Sequence, residues 1–217
     1  MSHKLEVDSV MLGFGLKTIL SDIYMCFETG SVTGILGRNG SGKSCLLKIM
    51  YGTMTAQYSN VRYDGRRILS GYKHPEMIRF LPQSDFIPKH LALGAVLDLF
   101  SCDRQWLTDL FPEFSGYLHQ PFRQFSFGQK RLIETCLVLN ADADFIMLDE
   151  PFSFLMPIHV ERLKGVIRKI KTTKGIIITD HLYRELLDIT DRNYLIHDGA
   201  SFPVTDESEL RMLGYIH

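Results

Sequence analysis

Long apolar runs are missing from this sequence of 217 residues. No stretch reaches the roughly 18 consecutive apolar residues that a transmembrane helix requires. The N-terminal segment, MSHKLEVDSV, is polar and lacks the apolar stretch of a signal peptide. We therefore expect a cytoplasmic protein, in which any role at a membrane comes through a partner protein.

Closely spaced cysteines and an excess of one charge are missing as well. The four cysteines stand far apart, at Cys26, Cys45, Cys102 and Cys136. Each lies beside apolar residues, which favours buried thiols in a reducing compartment over disulfides or a zinc site. The formal net charge is −1, so we expect no nucleic-acid partner. The basic run from Lys164 to Lys174 is interpreted as a solvated helix face.

Three short apolar runs carry the prediction of a parallel sheet. They are Val32 to Leu36, Phe145 to Leu148 and Gly175 to Thr179. Runs of this length and composition are typical of strands that are covered on both faces. The third run follows His159 to Lys171, where apolar residues recur at helical spacing. The succession of strand, helix and strand predicts an α/β fold with a parallel sheet.

The rest of the chain predicts two further parts. Near the N-terminus, Lys4 to Val10, Thr18 to Phe27 and Asn60 to Tyr63 resemble short antiparallel strands joined by polar or Gly-rich turns. Between Pro88 and Gln124 the composition shifts toward Leu, with few β-branched residues, which predicts a small helical lobe inserted into the sheet domain.

A phosphate-binding loop is the most specific motif in the sequence. The motif G-x-x-x-x-G-K-[ST] is formed by Gly37, Arg38, Asn39, Gly40, Ser41, Gly42, Lys43 and Ser44. Its glycines let the backbone curl so that N–H groups point at phosphate oxygens, next to the positive end of a helix that begins near Cys45. Lys43 supplies a charge to the β- and γ-phosphates and the Ser44 hydroxyl binds magnesium. The alternative is a Gly-rich turn without function, but the preceding strand and the following helix favour a site for Mg-ATP.

Two adjacent carboxylates follow the second apolar run. Asp149 and Glu150 are expected at the carboxyl end of a buried strand, where ligands bind in such sheets. Asp149 would hold magnesium, and Glu150 would accept a proton from the attacking water. An exposed strand end is the alternative for four apolar residues and two acids. The phosphate loop earlier in the chain favours the catalytic interpretation.

His181 follows the third apolar run, after Asp180. A single histidine is more often a structural hydrogen-bonding group than a catalytic residue. Because His181 also leaves a strand at the ligand-binding edge, we expect it to contact the γ-phosphate and to orient the attacking water.

In order and spacing, these motifs resemble those of the ATP-binding-cassette (ABC) ATPases, the nucleotide-binding subunits of ABC transporters. The resemblance extends over about residues 5–199. Phe14 matches the aromatic residue that stacks on adenine in this family. Gln83 matches the glutamine that reaches magnesium and senses the transmembrane partner. Asp149 and Glu150 match the magnesium aspartate and the catalytic glutamate.

The resemblance also implies a domain organisation. It predicts one ABC-type P-loop NTPase domain over residues 1–217, with a mixed sheet and an N-terminal antiparallel β portion. The core would comprise residues 1–84 and 131–217, and the helical lobe about residues 85–130. At His181 the resemblance implies the switch histidine of the family.

The family signature, normally L-S-G-G-Q followed by a basic pair, corresponds here to Phe125 to Arg131, FSFGQKR. The resemblance implies that Ser126, Gly128 and Gln129 face the γ-phosphate held by the opposite subunit, so that two chains enclose two ATP molecules head to tail. Ser126 is also a suitable helix N-cap, and this role is compatible with phosphate contact.

Three departures from the family pattern concern the opposite subunit and the partner. Phe127 replaces the first signature glycine, where the backbone should approach phosphate closely. Met156 stands where the family usually has an aspartate in the loop that crosses the dimer interface. Only 43 positions separate Gln83 from Ser126, so the predicted lobe is short.

The resemblance implies a magnesium-dependent ATPase at the cytoplasmic face of a membrane, where it would drive a separately encoded integral membrane permease. We expect a homodimer, since closed symmetric dimers are the common default. A heterodimer with another ABC ATPase is the alternative. The competing function is a nucleotide-dependent switch that hydrolyses ATP slowly or not at all and acts on a non-transport partner. Phe127 and Met156 favour the switch, whereas Glu150 and His181 favour the enzyme.

Overall fold

The computed structural model describes residues 2–216, which form two β-sheets with helices packed around them. The strands are β1 (Lys4–Phe14), β2 (Lys17–Leu20), β3 (Tyr24–Glu28), β4 (Val32–Leu36), β5 (Tyr58–Tyr63), β6 (Arg66–Arg67), β7 (Ile78–Leu81), β8 (Phe145–Asp149), β9 (Gly175–Thr179), β10 (Arg192–His197) and β11 (Ala200–Val204). The helices are α1 (Lys43–Tyr51), α2 (Leu93–Leu99), α3 (Arg104–Leu110), α4 (Phe127–Asn140), α5 (Pro157–Ile170), α6 (Tyr183–Leu187) and α7 (Glu207–Met212). Short 3₁₀ turns lie at Gly71–Lys73, Pro112–Tyr117 and Phe122–Gln124.

The central sheet has the strand order β11-β10-β4-β9-β8-β7. Its strands run parallel, except that β11 pairs with β10 antiparallel. The three apolar runs of the sequence are β4, β9 and β8, which lie side by side in the middle of this sheet. All residues of these three strands are buried. The predicted mixed α/β fold class is therefore confirmed.

The second sheet is antiparallel, with the order β2-β1-β5-β6 and with β3 also paired to β1. The prediction of one strand from Thr18 to Phe27 is wrong, because the chain forms β2 and β3 with a break between them. At the break, the N–H groups of Ser21 and Asp22 donate to the Gly199 carbonyl at 2.9 and 3.2 Å. The chain therefore leaves the antiparallel sheet to bond with the turn between β10 and β11.

The two faces of the central sheet are covered by different layers. Along β8, Phe145 and Met147 join the apolar cluster that contains helix α1 and the antiparallel sheet. Ile146 and Leu148 point to the opposite face and join the cluster that contains α4, α5 and the helices before α4. This alternation follows from the period of two in a β-strand. It places the carboxyl end of β8 between helices α1 and α4.

Between Gln83 and Ser126 the chain is helical, with α2, α3 and two 3₁₀ turns. The Leu-rich residues of this segment thus lie in helices. The exact limits of the domain and of its helical lobe stay predictions. None of the helices within residues 2–216 combines the length and the apolarity that crossing a bilayer would require.

Two interpretations made from composition need correction. Cys26 and Cys45 are only half-buried, whereas Cys102 and Cys136 are buried as expected. Lys164 does not belong to a solvated face, since it is only 2% exposed. Its amine lies 2.9 Å from a Glu161 carboxylate oxygen and 3.0 Å from one of Asp188, and it also pairs with Glu185. A lysine can be buried here because carboxylates from two helical segments compensate its charge.

Candidate functional site

The phosphate loop connects β4, in the middle of the central sheet, to α1. Gly42, the residue before α1, has a φ of 101°, and a Cβ atom there would lie 2.7 Å from Leu20 Cδ2. Glycine is therefore required by both backbone conformation and space. Lys43 begins the helix, and its amine donates hydrogen bonds to the carbonyls of Gly37 at 2.7 Å and Arg38 at 3.3 Å. Burial lowers the pKa of Lys43, while Glu150 and Asp149 oppose this shift.

A cavity of about 540 Å³ opens beside the phosphate loop. Ten predicted residues line it: Phe14, Asn39, Gly40, Gly42, Lys43, Ser44, Cys45, Gln83, Glu150 and His181. Phe14 contributes an exposed ring from the end of β1. The cavity also includes Lys17 and Ile19 of β2, which the sequence analysis did not select. Predicted residues from five separate parts of the chain thus meet at one cavity.

Four of the predicted residues support the cavity without lining it, namely Gly37, Arg38, Ser41 and Asp149. The Arg38 guanidinium points elsewhere and donates to the Gly214 carbonyl at 2.5 Å. The Ser41 hydroxyl is buried and has no hydrogen-bond partner within the described residues. At Gly37 and Ser41 the loop is packed tightly, since a Cβ atom on Gly37 would lie 2.4 Å from Ser41 Oγ.

Asp149 is fixed below the loop by two hydroxyl groups. Its Oδ1 atom accepts hydrogen bonds from Ser44 Oγ at 3.0 Å and from Thr179 Oγ1 at 2.8 Å. Its Oδ2 atom is buried and has no partner in the described part of the chain. Burial raises the pKa of Asp149, and the two hydroxyl groups counteract this shift. The Ser44 hydroxyl and the Asp149 carboxylate, whose buried Oδ2 atom has no partner among the described residues, fit a magnesium ion, which prefers such oxygen ligands.

Glu150 lies at the mouth of the cavity and is only 7% exposed. Its φ of 59° is unusual for a residue with a side chain, and its N–H donates to the Thr179 carbonyl at 2.8 Å. The Oε2 atom accepts a hydrogen bond from Gln83 Nε2 at 3.0 Å and lies 2.8 Å from His181 Nε2. The structure thus brings the predicted base, histidine and glutamine into direct contact. A carboxylate held in this way can act as a general base toward a bound water.

The signature segment lies apart from the phosphate loop of its own chain. Ser126 caps α4, since its Oγ accepts from the Gln129 N–H at 3.2 Å and the Gln129 side chain accepts from the Ser126 N–H at 2.9 Å. Ser126, Gly128 and Gln129 do not line the cavity beside the phosphate loop. A neighbouring cavity of about 550 Å³ includes Phe127 together with Glu150 and His181.

Two of the three departures from the family pattern, Phe127 of the signature and Met156 of the loop after Glu150, lie on the surface. Phe127 is 57% exposed, and its ring meets the ring of Phe154 edge to face at a centroid distance of 5.0 Å. Met156 is also exposed and precedes α5. Gly128 is required for a local reason, because a Cβ atom there would lie 2.5 Å from the carbonyl oxygen of Phe154.

Two residues that orient the carboxylates were given no role in the sequence analysis. Thr179 ends β9 directly opposite Asp149 in the strand register, so its hydroxyl reaches the carboxylate. Arg131 lies in α4 and binds the backbone carbonyls of Asp149 and Glu150. The role of Thr179 follows from the pairing register of β8 and β9, and no motif in the sequence marks this residue. For Arg131 the sequence offered only its place in the basic pair after the signature.

Comparisons with known proteins agree with this geometry. A family model described as ABC transporter matches residues 20–153. A relative from Acidithiobacillus ferridurans, the lipopolysaccharide export system ATP-binding protein LptB, is 30% identical over 224 residues, which cover 97% of this chain and 93% of the relative. A probable ABC transporter ATP-binding protein from Azorhizobium caulinodans is 30% identical over 201 residues, with coverages of 86% and 72%.

Among solved structures, an ATP-binding subunit of an ABC transporter superposes with a TM-score of 0.81 over 97% of this chain and 93% of that chain. At 21% sequence identity this likeness shows the fold alone. The family model, by contrast, spans more than half of the sequence and includes the phosphate loop and the Asp149-Glu150 pair. The chain therefore belongs to the ABC transporter family.

Proposed function

We propose that this protein is the ATP-hydrolysing subunit of an ABC transporter and that ATP-driven closure of a dimer is coupled to a separately encoded membrane permease. One observation carries the proposal. The Glu150 carboxylate is held between Gln83 and His181 at the mouth of the cavity formed by the phosphate loop. A protein that only binds nucleotide would not need a buried carboxylate oriented at this position.

ATP would enter the 540 Å³ cavity with its base against the exposed ring of Phe14. The phosphates would lie against the N–H groups of the loop and the N-terminus of α1. The Lys43 amine, which bonds the carbonyls of Gly37 and Arg38, lies at the start of this helix and can turn toward the β- and γ-phosphates.

Ser44, Asp149 and Gln83 would hold magnesium, which when bound neutralises charge on the phosphate oxygens. Glu150 would accept the proton of the attacking water through its carboxylate. His181 would donate a hydrogen bond to the γ-phosphate and keep that water in line. Thr179 donates its hydroxyl hydrogen to the Asp149 carboxylate and accepts the Glu150 N–H with its carbonyl, so one residue orients both acids.

The helix N-terminus at Ser126, Gly128 and Gln129 lies outside the cavity of its own chain, which supports a role at the site of a second subunit. We propose a homodimer, with a heterodimer as the alternative. The helical segment at about residues 85–130 would contact the permease at the cytoplasmic face of the membrane. Relatives that are ATP-binding proteins of transport systems support this assignment.

A nucleotide-dependent switch is the second candidate function. The exposed rings of Phe127 and Phe154 favour it, because Phe127 begins α4 and Phe154 packs against it, at the place where a partner phosphate would have to approach. Slow turnover would follow if these rings keep the opposite phosphate at a distance. The two candidates differ in whether Glu150 sets the rate of hydrolysis.

Steady-state hydrolysis of Mg-ATP by the wild type and by Glu150→Gln separates the two functions. We expect the substitution to lower the rate about a hundredfold or more, as is typical for the loss of a general base. Glu207→Gln, an exposed change of the same type at the start of α7, should keep the wild-type rate. Equal rates near background for the wild type and Glu150→Gln would exclude the enzyme and favour the switch.

Light scattering of Glu150→Gln with Mg-ATP tests the dimer, since one chain has a mass of 24.9 kDa. We expect a species of twice this mass that returns to the monomer when nucleotide is removed. A strictly monomeric species would contradict the homodimer. Purification of the chain from native membranes, followed by identification of the co-purified integral protein, tests the permease.

A further inference from the structure

Arg131 connects the two segments that carry the hydrogen-bonded pair Gln83 and Glu150. It lies one turn into α4 and is only 4% exposed. Its Nε atom donates to the Glu150 carbonyl at 3.1 Å and its Nη1 atom to the Pro82 carbonyl at 2.7 Å. Its Nη2 atom donates to the Asp149 carbonyl. All three nitrogens of the guanidinium therefore bind backbone carbonyls beside residues of the proposed ATP site.

The same helix holds the other end of the segment that contains Gln83. Glu134, three residues after Arg131, is buried and accepts a hydrogen bond from the Phe86 N–H at 3.0 Å. The chain from Pro82 to Phe86 is thus attached to α4 at both ends. Within this segment, the Gln83 side chain is free to reach across to Glu150.

We infer that Arg131 is a positioning residue that sets the distance between Gln83 and Glu150 by binding the carbonyls of Pro82, Asp149 and Glu150. The planar guanidinium offers donors in fixed directions, so three carbonyls bound to it cannot shift independently. The side chain of Arg131 does not line the nucleotide cavity beside the phosphate loop. It lines the neighbouring cavity, on the other side of Glu150 and His181. Its effect on catalysis passes through the backbone at both acids. This inference rests on the proposed ATPase function.

A lysine at this position could not replace the arginine. An ammonium group has one nitrogen and no planar fork, so it would reach one or two of the three carbonyls. Arg131→Lys keeps the charge in the buried position but releases at least one segment. Arg131→Met removes both charge and donors. Arg211→Met, at an exposed position in α7, is a control that removes the same side chain elsewhere.

Hydrogen exchange of the full-length chain without nucleotide tests the positioning directly. The reporters are the N–H groups of Phe86, Glu150 and Phe152, each of which donates to a defined acceptor. We expect their exchange to rise about tenfold or more in Arg131→Met and by a smaller factor in Arg131→Lys. Exchange in β4 and α1 should stay at the wild-type level in Arg131→Lys and in Arg211→Met.

Kinetics supply the second readout. We expect kcat for Mg-ATP to fall at least tenfold in Arg131→Met, with an intermediate fall in Arg131→Lys. The Kd of a fluorescent ATP analogue should change less than threefold in Arg131→Lys, because the phosphate loop is untouched. A residue with a merely structural role would instead change affinity and turnover together, with a lower Tm.

The outcomes separate this inference from the proposed function. If the wild type shows no hydrolysis that depends on Glu150, the proposed function fails, and hydrogen exchange alone decides the role of Arg131. If both Arg131 variants keep wild-type exchange at the three reporters, the inference is wrong. If Arg131→Met unfolds, Arg131→Lys decides the role of Arg131. Faster hydrogen exchange confined to the three reporters, together with a reduced kcat, supports positioning. A wild-type kcat overturns the inference.

Discussion

Glu134 should make the stability of this protein depend on pH near neutrality. Its carboxyl group is buried within α4 and accepts a hydrogen bond from the Phe86 N–H, while its Oε2 atom has no partner in the described part of the chain. Burial raises its pKa from the ordinary 4.5 to about 7. The Phe86 N–H and the Arg131 charge oppose the shift, and the Asp85 charge adds to it.

The sign of the effect follows from the direction of this shift. Because the pKa of Glu134 is higher in the folded state than in the unfolded chain, the folded protein binds more protons between pH 4.5 and about pH 7. The free energy of unfolding contributed by this group therefore falls as pH rises through that interval. One pKa unit corresponds to about 1.4 kcal/mol, so the contribution changes by at most about 3.5 kcal/mol.

Glu134→Gln removes the titration and keeps a carbonyl oxygen for the Phe86 N–H. The free energies of unfolding of wild type and variant should therefore separate as pH rises, and the variant should become the more stable protein above about pH 7. Urea unfolding at several pH values measures this difference, with the fluorescence of the single tryptophan, Trp106 in α3, as the probe.

The control is Glu207→Gln, the same substitution at an exposed position. A difference between Glu134→Gln and the wild type that is constant from about pH 4.5 to about pH 8 would refute the reasoning. It would mean that the Glu134 carboxyl has the same proton affinity in the folded and unfolded chains.

Two further changes test a close contact beside the candidate site and the burial of Lys164. Gly128→Ala should destabilise the protein by about 1–3 kcal/mol, because the added Cβ atom would lie 2.5 Å from the Phe154 carbonyl oxygen. The control is Gly165→Ala in α5, where no atom lies within 4 Å of the added Cβ, and it should stabilise the protein by about 0.5–1 kcal/mol. Equal urea midpoints for the two variants would contradict the role of the Phe154 contact. Lys164→Met should lower the free energy of unfolding by about 2 kcal/mol, because it leaves three carboxylates without their buried partner. The control Arg168→Met, at an exposed position, should lower it by about 0.5 kcal/mol or less. Equal losses in urea unfolding would show that burial of Lys164 adds nothing.

The fold was predictable from the sequence where strands are buried on both faces. The residues of β4, β8 and β9 form continuous apolar runs, because helices α4 and α5 cover one side of the sheet and helix α1 with the antiparallel sheet covers the other. The flanking strands β7 and β10 were not predicted. Each contains arginine or other polar residues, since they lie nearer the edges of the sheet and are only partly covered. Their sequences therefore lack an unbroken apolar run.

The candidate site was predictable where function depends on spacing along the chain. The phosphate loop and the Asp149-Glu150 pair have fixed local patterns, and the structure places both at the same cavity or directly beneath it. The roles of Thr179 and Arg131 were not predicted, because they depend on strand register and on the placement of a helix. A sequence pattern that contains no long-range pairing cannot show which hydroxyl or guanidinium will reach a given carbonyl.

Phe127 shows why a single departure from a motif is a poor guide to its effect. Considered alone, it adds bulk where a glycine is expected. In the structure its partner is Phe154, which has a φ of 64° and whose carbonyl oxygen packs against Gly128. A left-handed backbone at a residue with a side chain costs about 1 kcal/mol or more, and an aromatic pair contributes about 0.5–1.5 kcal/mol. The two terms are of similar size, so the pair offsets the strain of the loop that follows Glu150. Phe127 and Phe154 therefore form one coupled unit, and a substitution of Phe127 also changes the support of that loop.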